Sequence, residues 1–258
     1  MLALDAPRRD RRPAGRVLVA LGLGLWLALL PPGAAPEGQG DASIVLRDDF
    51  SLETLDDSKW QRTRQNDFET EAVELVGGRL RMAASTLGTD DRTVKFHGVR
   101  TKEPLVALTG RAEISFELDW NDQANGCYMT VGAYLCPVAA ENPREERSWL
   151  RLLYIGVPPG RNARCLVSAK VAGHEKRLLT ENWPQERTGR KIGRQRVQIA
   201  LDGDSLVVTE NGGKLLEADD LRLDFEQAYL YLQHSTHSNY PPREVFFDDV
   251  VVRTWAAD

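Results

Sequence analysis

Beyond residue 43, apolar and polar side chains alternate along much of the chain with the period of two that a half-buried β-strand requires. The alternation is cleanest from residue 113: Ile114, Phe116, Leu118 and Trp120 fall on one side, and Glu113, Ser115, Glu117 and Asp119 on the other. One face of that strand is core and the other is wet or lines a groove. The closing stretch, residues 244–255, is rich in β-branched and aromatic residues but interrupted by Asp248 and Asp249, so it reads as a buried strand carrying a local polar site. Further strands are expected at 45–50, 73–76, 80–84, 128–135, 149–155, 165–171, 197–201, 206–209 and 229–233. Gly77-Gly78, Pro158-Pro159-Gly160 and Asp202-Gly203-Asp204 supply turns between them. The polar stretch 173–196 breaks the pattern and reads as a long loop of the functional or mobile kind. No segment offers an amphipathic helix of three turns, and no repeat of fixed period is present. Many short strands with Gly-rich turns predict an all-β fold, two antiparallel sheets forming a jelly-roll β-sandwich.

Composition adds an address. The chain has 258 residues, a length that suits one large sandwich. Ahead of it, Arg8, Arg9, Arg11, Arg12 and Arg16 precede an uncharged apolar run at 17–30, the pattern of a signal peptide. Fourteen apolar residues fall short of the ~20 that a membrane span needs, so no stable span is expected once the signal is removed. The expected organisation is a signal peptide and linker over 1–42 and the sandwich over 43–258, secreted, periplasmic or at the cell surface. Taking away residues 1–42 removes five basic side chains from 33 and four acidic from 38, leaving 28 against 34 and a net charge of −6. That balance excludes nucleic acid as a partner, because phosphates demand a basic face. Cys127, Cys136 and Cys165 are odd in number, and small buried hydrophobes are the simplest reading of them.

Short motifs then suggest a family. Asp48-Asp49-Phe50 followed by Trp60, the Gly78-Arg79-Leu80 turn, the Asp202-Gly203-Asp204 hairpin and Phe247-Asp248-Asp249-Val250 together resemble the concanavalin A-like lectin/glucanase superfamily. The resemblance implies a curved jelly roll with a sugar-binding concave face, as in laminarinase-type glucanases, laminin-G-like modules and keto-disaccharide hydrolases. It also implies a structural calcium between the first and last strands. Asp248 matches the last-strand carboxylate, Asp49 or Asp48 the N-terminal one, and Gly78 the turn carbonyl; further oxygens must come from carbonyls or water.

Catalysis has one candidate. Acids at i and i+2 on a strand share a face at roughly 6 to 7 Å, close to the separation that retaining glycosidases need. Glu117 and Asp119 meet this spacing and match the first two acids of the laminarinase-type pattern, but Asp122 stands where a glutamate is expected. The strand also lies early in chain order, and the later place, 149–155, contains no acid. Sugar contacts are expected instead from the polar and aromatic loop with His234, His237, Asn239 and Tyr240, and from Trp183, because imidazoles and amides bond hydroxyls while rings stack on sugar faces. His234 and His237 could also ligate zinc, although no third Cys or His lies nearby. No phosphate loop or serine nucleophile elbow is present. The leading expectation is a secreted module that binds glycans or surfaces without catalysis. The alternatives are a glycoside hydrolase acting on a poly- or disaccharide through Glu117, Asp119 or Asp122, and a structural envelope protein.

Overall fold

The computed structural model describes residues 42–64, 70–85, 94–105, 110–120, 129–156, 163–183, 193–237 and 243–255. Two units divide the chain, Met1–Gly38 and Gln39–Asp258, and every described residue belongs to the second. The strands are β1 (Ser43–Asp48), β2 (Trp60–Arg64), β3 (Thr70–Leu75), β4 (Leu80–Ser85), β5 (Val94–Thr101), β6 (Arg111–Trp120), β7 (Met129–Cys136) and β8 (Trp149–Gly156). They continue with β9 (Ala163–Val171), β10 (His174–Trp183), β11 (Gly193–Asp202), β12 (Ser205–Glu210), β13 (Gly213–Ala218), β14 (Tyr229–His237) and β15 (Arg243–Thr254). The first sheet runs β13-β12-β11-β6-β15-β4-β3, with β1 also on β15, and the second runs β10-β9-β8-β7-β14-β5-β2. The expected two-sheet antiparallel sandwich is therefore present, and among the described residues no helix is long and apolar enough to cross a membrane.

Alternation builds the core. Along β6, Ala112, Ile114, Phe116, Leu118 and Trp120 are buried between the sheets, while Arg111, Glu113, Ser115, Glu117 and Asp119 stand on the outer face. The second sheet answers with Val99, Val131, Ala133, Leu135, Leu152, Tyr154, Val167, Leu230 and Leu232. Trp120 meets Tyr154 across the gap with ring centres 5.5 Å apart.

β15 sits at the centre of the first sheet. One edge pairs with β6, and the other is shared by β4 along 243–247 and β1 along 250–254. Between the two halves the register slips: Asp248 faces Glu117 and Val251 faces Ser115, so Asp249 and Val250 together oppose Phe116. Asp249 takes φ of 48° to do this. The extra residue keeps Val245, Phe247, Val250 and Val252 all fully buried, although an unbroken alternation would turn the second pair outward. At the same junction Asp48 accepts hydrogen bonds from the Phe50 amide (2.9 Å) and the Trp60 indole (2.7 Å), which anchors this buried tryptophan. Trp60 is buried, as is Trp120, which the alternation of β6 assigns to the core, whereas Trp255 is only half-buried beneath Arg111.

The polar stretch 173–196 corrects the reading of a long loop, because it contains β10 and the start of β11. β10 is the edge of the second sheet and presents charge to water, as edge strands do to resist further pairing, so no apolar alternation marks it. The turn into it uses Ala172 and Gly173 at φ of 50° and 91°.

The bulge makes a direct prediction. A left-handed residue other than glycine costs roughly 1–2 kcal/mol, with Asp among the better tolerated. Asp249→Gly should leave stability unchanged or raise it by up to about 1 kcal/mol, and Asp249→Val should lower it by about 1–2 kcal/mol, read from urea midpoints.

Candidate functional site on the outer face of the second sheet

On β7 the residues that alternate with the core set are Thr130, Gly132, Tyr134 and Cys136. Register places Tyr134 beside Tyr231 of β14 and Arg151 of β8, and Gly132 beside Gln233 and Leu153. These residues form the face of the second sheet turned away from the first. Half of it is covered. Tyr134, Cys136, Trp149, Leu153 and Tyr231 make an apolar cluster apart from the main core. The β7–β8 connection folds over them, with the Tyr231 hydroxyl donating to the Val138 carbonyl (2.7 Å) and accepting from the Ala140 amide (2.8 Å). Trp149 Nε1 donates to the Arg144 carbonyl (3.2 Å), and Arg151 lies over the Trp149 ring at 4.4 Å. Burial raises the Tyr134 phenol above its ordinary value against the pull of Arg151, and it pushes the Cys136 thiol up to about 11. Cys136 and Cys165 are buried, as the reading of small hydrophobes expects; Cys127 lies outside the described residues.

Beside the covered half lies a cavity of about 550 Å³. Phe96, Leu153, Ile155 and Leu166 give it apolar walls, Thr130 and Ser235 give it hydroxyls bonded to each other, and Arg144, Arg151, Arg164 and Arg177 give it charge. Next to it the backbone register aligns Thr63, Gly98, Gln233 and Gly132 in a row across four strands. Both glycines are obligatory, since a Cβ on Gly98 would lie 2.1 Å from the Leu232 carbonyl oxygen and one on Gly132 2.0 Å from that of Leu152. Gln233 is thus flanked on both sides by bare backbone. It is 2% exposed, and neither atom of its amide has a hydrogen-bond partner among the described residues; Thr63 Oγ1 shares this condition. An unpaired buried amide costs about 1–3 kcal/mol, a cost that a bound hydroxyl or water removes.

The residues named from sequence fall elsewhere. Glu117 and Asp119 lie on the outer face of the first sheet, where Glu117 accepts from Arg194 (3.2 Å) and Arg196 (3.1 Å) and Asp119 from Arg79 (2.8 Å). Asp248 is the cross-strand neighbour of Glu117, and its carboxyl is raised above the usual range first by burial and then by the nearby Asp249 and Glu117 charges. Asp122, Asn239 and Tyr240 lie outside the described residues. Trp183 and His237 belong to the ends of β10 and β14.

His234 is not open to a ligand. It points between the sheets, fully buried, with its Nδ1 2.8 Å from His97 Nε2, while His97 Nδ1 lies 3.4 Å from Glu71. Burial first, and His97 second, hold it neutral well below the usual histidine range. The carboxylates expected to hold calcium each have a partner within the chain. Asp48 is engaged by Trp60 and Phe50, Asp49 by Ser51, and Asp248 by the Asp249 amide. Asp49 and Asp249 line a second cavity, of about 390 Å³, without Asp248 or Gly78. Among the described residues no group of three or more His, Cys, Asp or Glu could hold a metal.

Tyr134, Gln233 and Arg151 were not singled out from sequence. Their one signal is a glycine inside a strand, Gly98 and Gly132, which marks close approach of backbone.

No family model matches this chain, and no curated protein matches it. Solved structures do. The catalytic domain of an endo-1,3-β-glucanase (laminarinase) from Thermotoga petrophila matches with a TM-score of 0.59 at 14% identity, covering 84% of this chain and 100% of that one. The endo-β-1,3-glucanase from Pyrococcus furiosus matches with a TM-score of 0.62 at 12% identity over 85% and 97%. A β-1,3-1,4-glucanase (lichenase) from a mouse hindgut metagenome gives 0.55 at 9% over 80% and 97%. The chain therefore has the concanavalin A-like lectin/glucanase fold that its short motifs suggest. The expectation of a non-catalytic module is corrected by the same comparison: the neighbours are mostly glycoside hydrolases, which favours the hydrolase alternative.

The buried histidine predicts a pH effect. Unfolding returns His234 to an ordinary value of about 6.5, so below that pH the unfolded chain takes up a proton that the folded one refuses, and stability falls as pH falls. Between pH 7 and 5.5 the wild type should lose about 1 kcal/mol more than His234→Leu, compared by urea unfolding at each pH.

Proposed function

We propose that this protein is a glycoside hydrolase that holds a polysaccharide across the outer face of the second sheet. The observation that carries the placement is Gln233, a buried amide with no partner among the described residues, flanked by Gly98 and Gly132 beside a recess with hydroxyls and apolar walls. A sugar hydroxyl supplies both the donor and the acceptor that such an amide lacks, and the glycines let the sugar ring approach the strands. Hydrolysis is inferred from the glucanases that share the fold. Cleavage needs two carboxyl groups about 5–5.5 Å apart for retention or 6.5–9.5 Å for inversion. No carboxylate lines the cavity among the described residues, and Glu175 reaches it only through its 2.7 Å ion pair with Arg151. The pair Glu117 and Asp119 is assigned no part, because it stands on the other sheet with its charges already paired. The arginine-led apolar segment within 1–42 supports export, which places the polymer outside the cytoplasm.

The test is product release from a panel of β-glucans, mucin-type and acidic polysaccharides, followed by chromatography. Oligosaccharide release is expected from at least one polymer, with Gln233→Leu raising KM about tenfold and Glu117→Gln leaving turnover unchanged. Absence of product from every polymer, or loss of turnover in Glu117→Gln alone, overturns the proposal.

A further inference from the structure

The second-sheet cavity is charged in a way that the chain as a whole is not. The protein carries a net −5, yet Arg144, Arg151, Arg164 and Arg177 converge on this recess, and among the described residues no acidic one lines it. Arg151 is 8% exposed and spends its guanidinium on Ser168 (2.8 Å) and Glu175 (2.7 Å). Arg144, Arg164 and Arg177 are exposed and make no ion pair with any described residue. Several other surface arginines are matched, Arg79 with Asp119, Arg81 with Glu74 and Glu244, Arg194 and Arg196 with Glu117, Arg253 with Glu113, whereas Arg47, Arg62 and Arg147 stand singly among the described residues and do not converge on one cavity. Three guanidiniums with no ion pair among the described residues thus gather at a recess of the sheet that has Gln233 nearby. A recess with low-dielectric walls focuses such a field, and each planar fork matches a carboxylate or sulfate through two parallel hydrogen bonds.

We infer that the polysaccharide is acidic, a chain bearing carboxylate or sulfate groups that Arg164, Arg177 and Arg144 recognise. This rests on the reading of the second-sheet face as the glycan site. A polynucleotide, although also anionic, would meet the acidic remainder of the surface along its length, whereas a glycan with spaced charges needs a positive field only at the recess.

The experiment compares binding, by calorimetry in low and moderate salt, to three polymers: a neutral β-1,3-glucan, a polyuronate, and a sulfated galactan. Tenfold or tighter binding of an acidic chain over the neutral one supports the inference, provided that it weakens as salt rises and is lost in Arg164→Gln/Arg177→Gln. The two acidic polymers tell carboxylate from sulfate. Both substituted residues are exposed, so the variant is expected to melt with the wild type, and Arg47→Gln, beside the other cavity, is the charge control with unchanged binding. Equal binding of all three polymers, or equal loss in Arg47→Gln, overturns the acidic assignment and leaves the glycan site standing. Binding of none of them overturns both.

Discussion

The bulge at Asp249 is the constraint on which the first sheet depends. A strand has two faces and a strict alternation, so a single chain segment cannot bury an apolar set along twelve residues while changing its edge partner unless register is absorbed somewhere. β15 makes that change where its neighbour passes from β4 to β1, and the residue that absorbs it is one whose short polar side chain tolerates a left-handed backbone. The acids Asp248 and Asp249 are therefore explained by geometry before any ligand is invoked. Their neighbours on β6 and β11 follow from the same cause, because two outward carboxylates beside Glu117 require the arginines that β11 supplies.

The second sheet is organised by a different demand, that its outer face be both covered and open. Covering is done by the β7–β8 connection, whose carbonyls capture the Tyr231 hydroxyl and the Trp149 indole, so that two large rings are buried without an unpaired polar tip. Opening is done by glycine. Gly98 and Gly132 exist because neighbouring carbonyls leave no room for a Cβ, and the same lack of side chains leaves Gln233 without local partners among the described residues. The backbone closeness that packs the sheet also leaves an amide able to accept and donate.

Much of the fold was legible in the sequence and little of the site was. The alternation of β6 and the apolar density of β15 place both strands in the core directly, because a half-buried central strand must separate its faces. β10 and β13 were missed for a physical reason, since each is an edge strand that no neighbour shields on one flank, and their polar residues resemble those of a loop. β5 was missed because His97 and Gly98 interrupt its apolar run, although those residues are the ones that pair with His234 and clear space beside Gln233. His234 read as loop chemistry because Ser, Thr and Asn follow it. Its strand continues to His237, and strand alternation turns His234 into the core, where desolvation keeps it uncharged.

The two outer faces carry similar residues and differ in how the charges are disposed. On the first sheet, cross-strand neighbours neutralise one another: an exposed pair contributes about 0–1 kcal/mol, and its field fades within the Debye length of about 10 Å at 0.1 M salt. Such a surface presents little net charge to a ligand. On the second sheet the arginines come from β8, β9, β10 and the β7–β8 connection, elements whose partners across the strand are Ser168, Tyr134 and Ile155 rather than acids. A one-residue register shift of these strands would turn the apolar set of the core outward. The charge in the recess is therefore fixed by the same alternation that fixes the fold, and a ligand that enters must answer it.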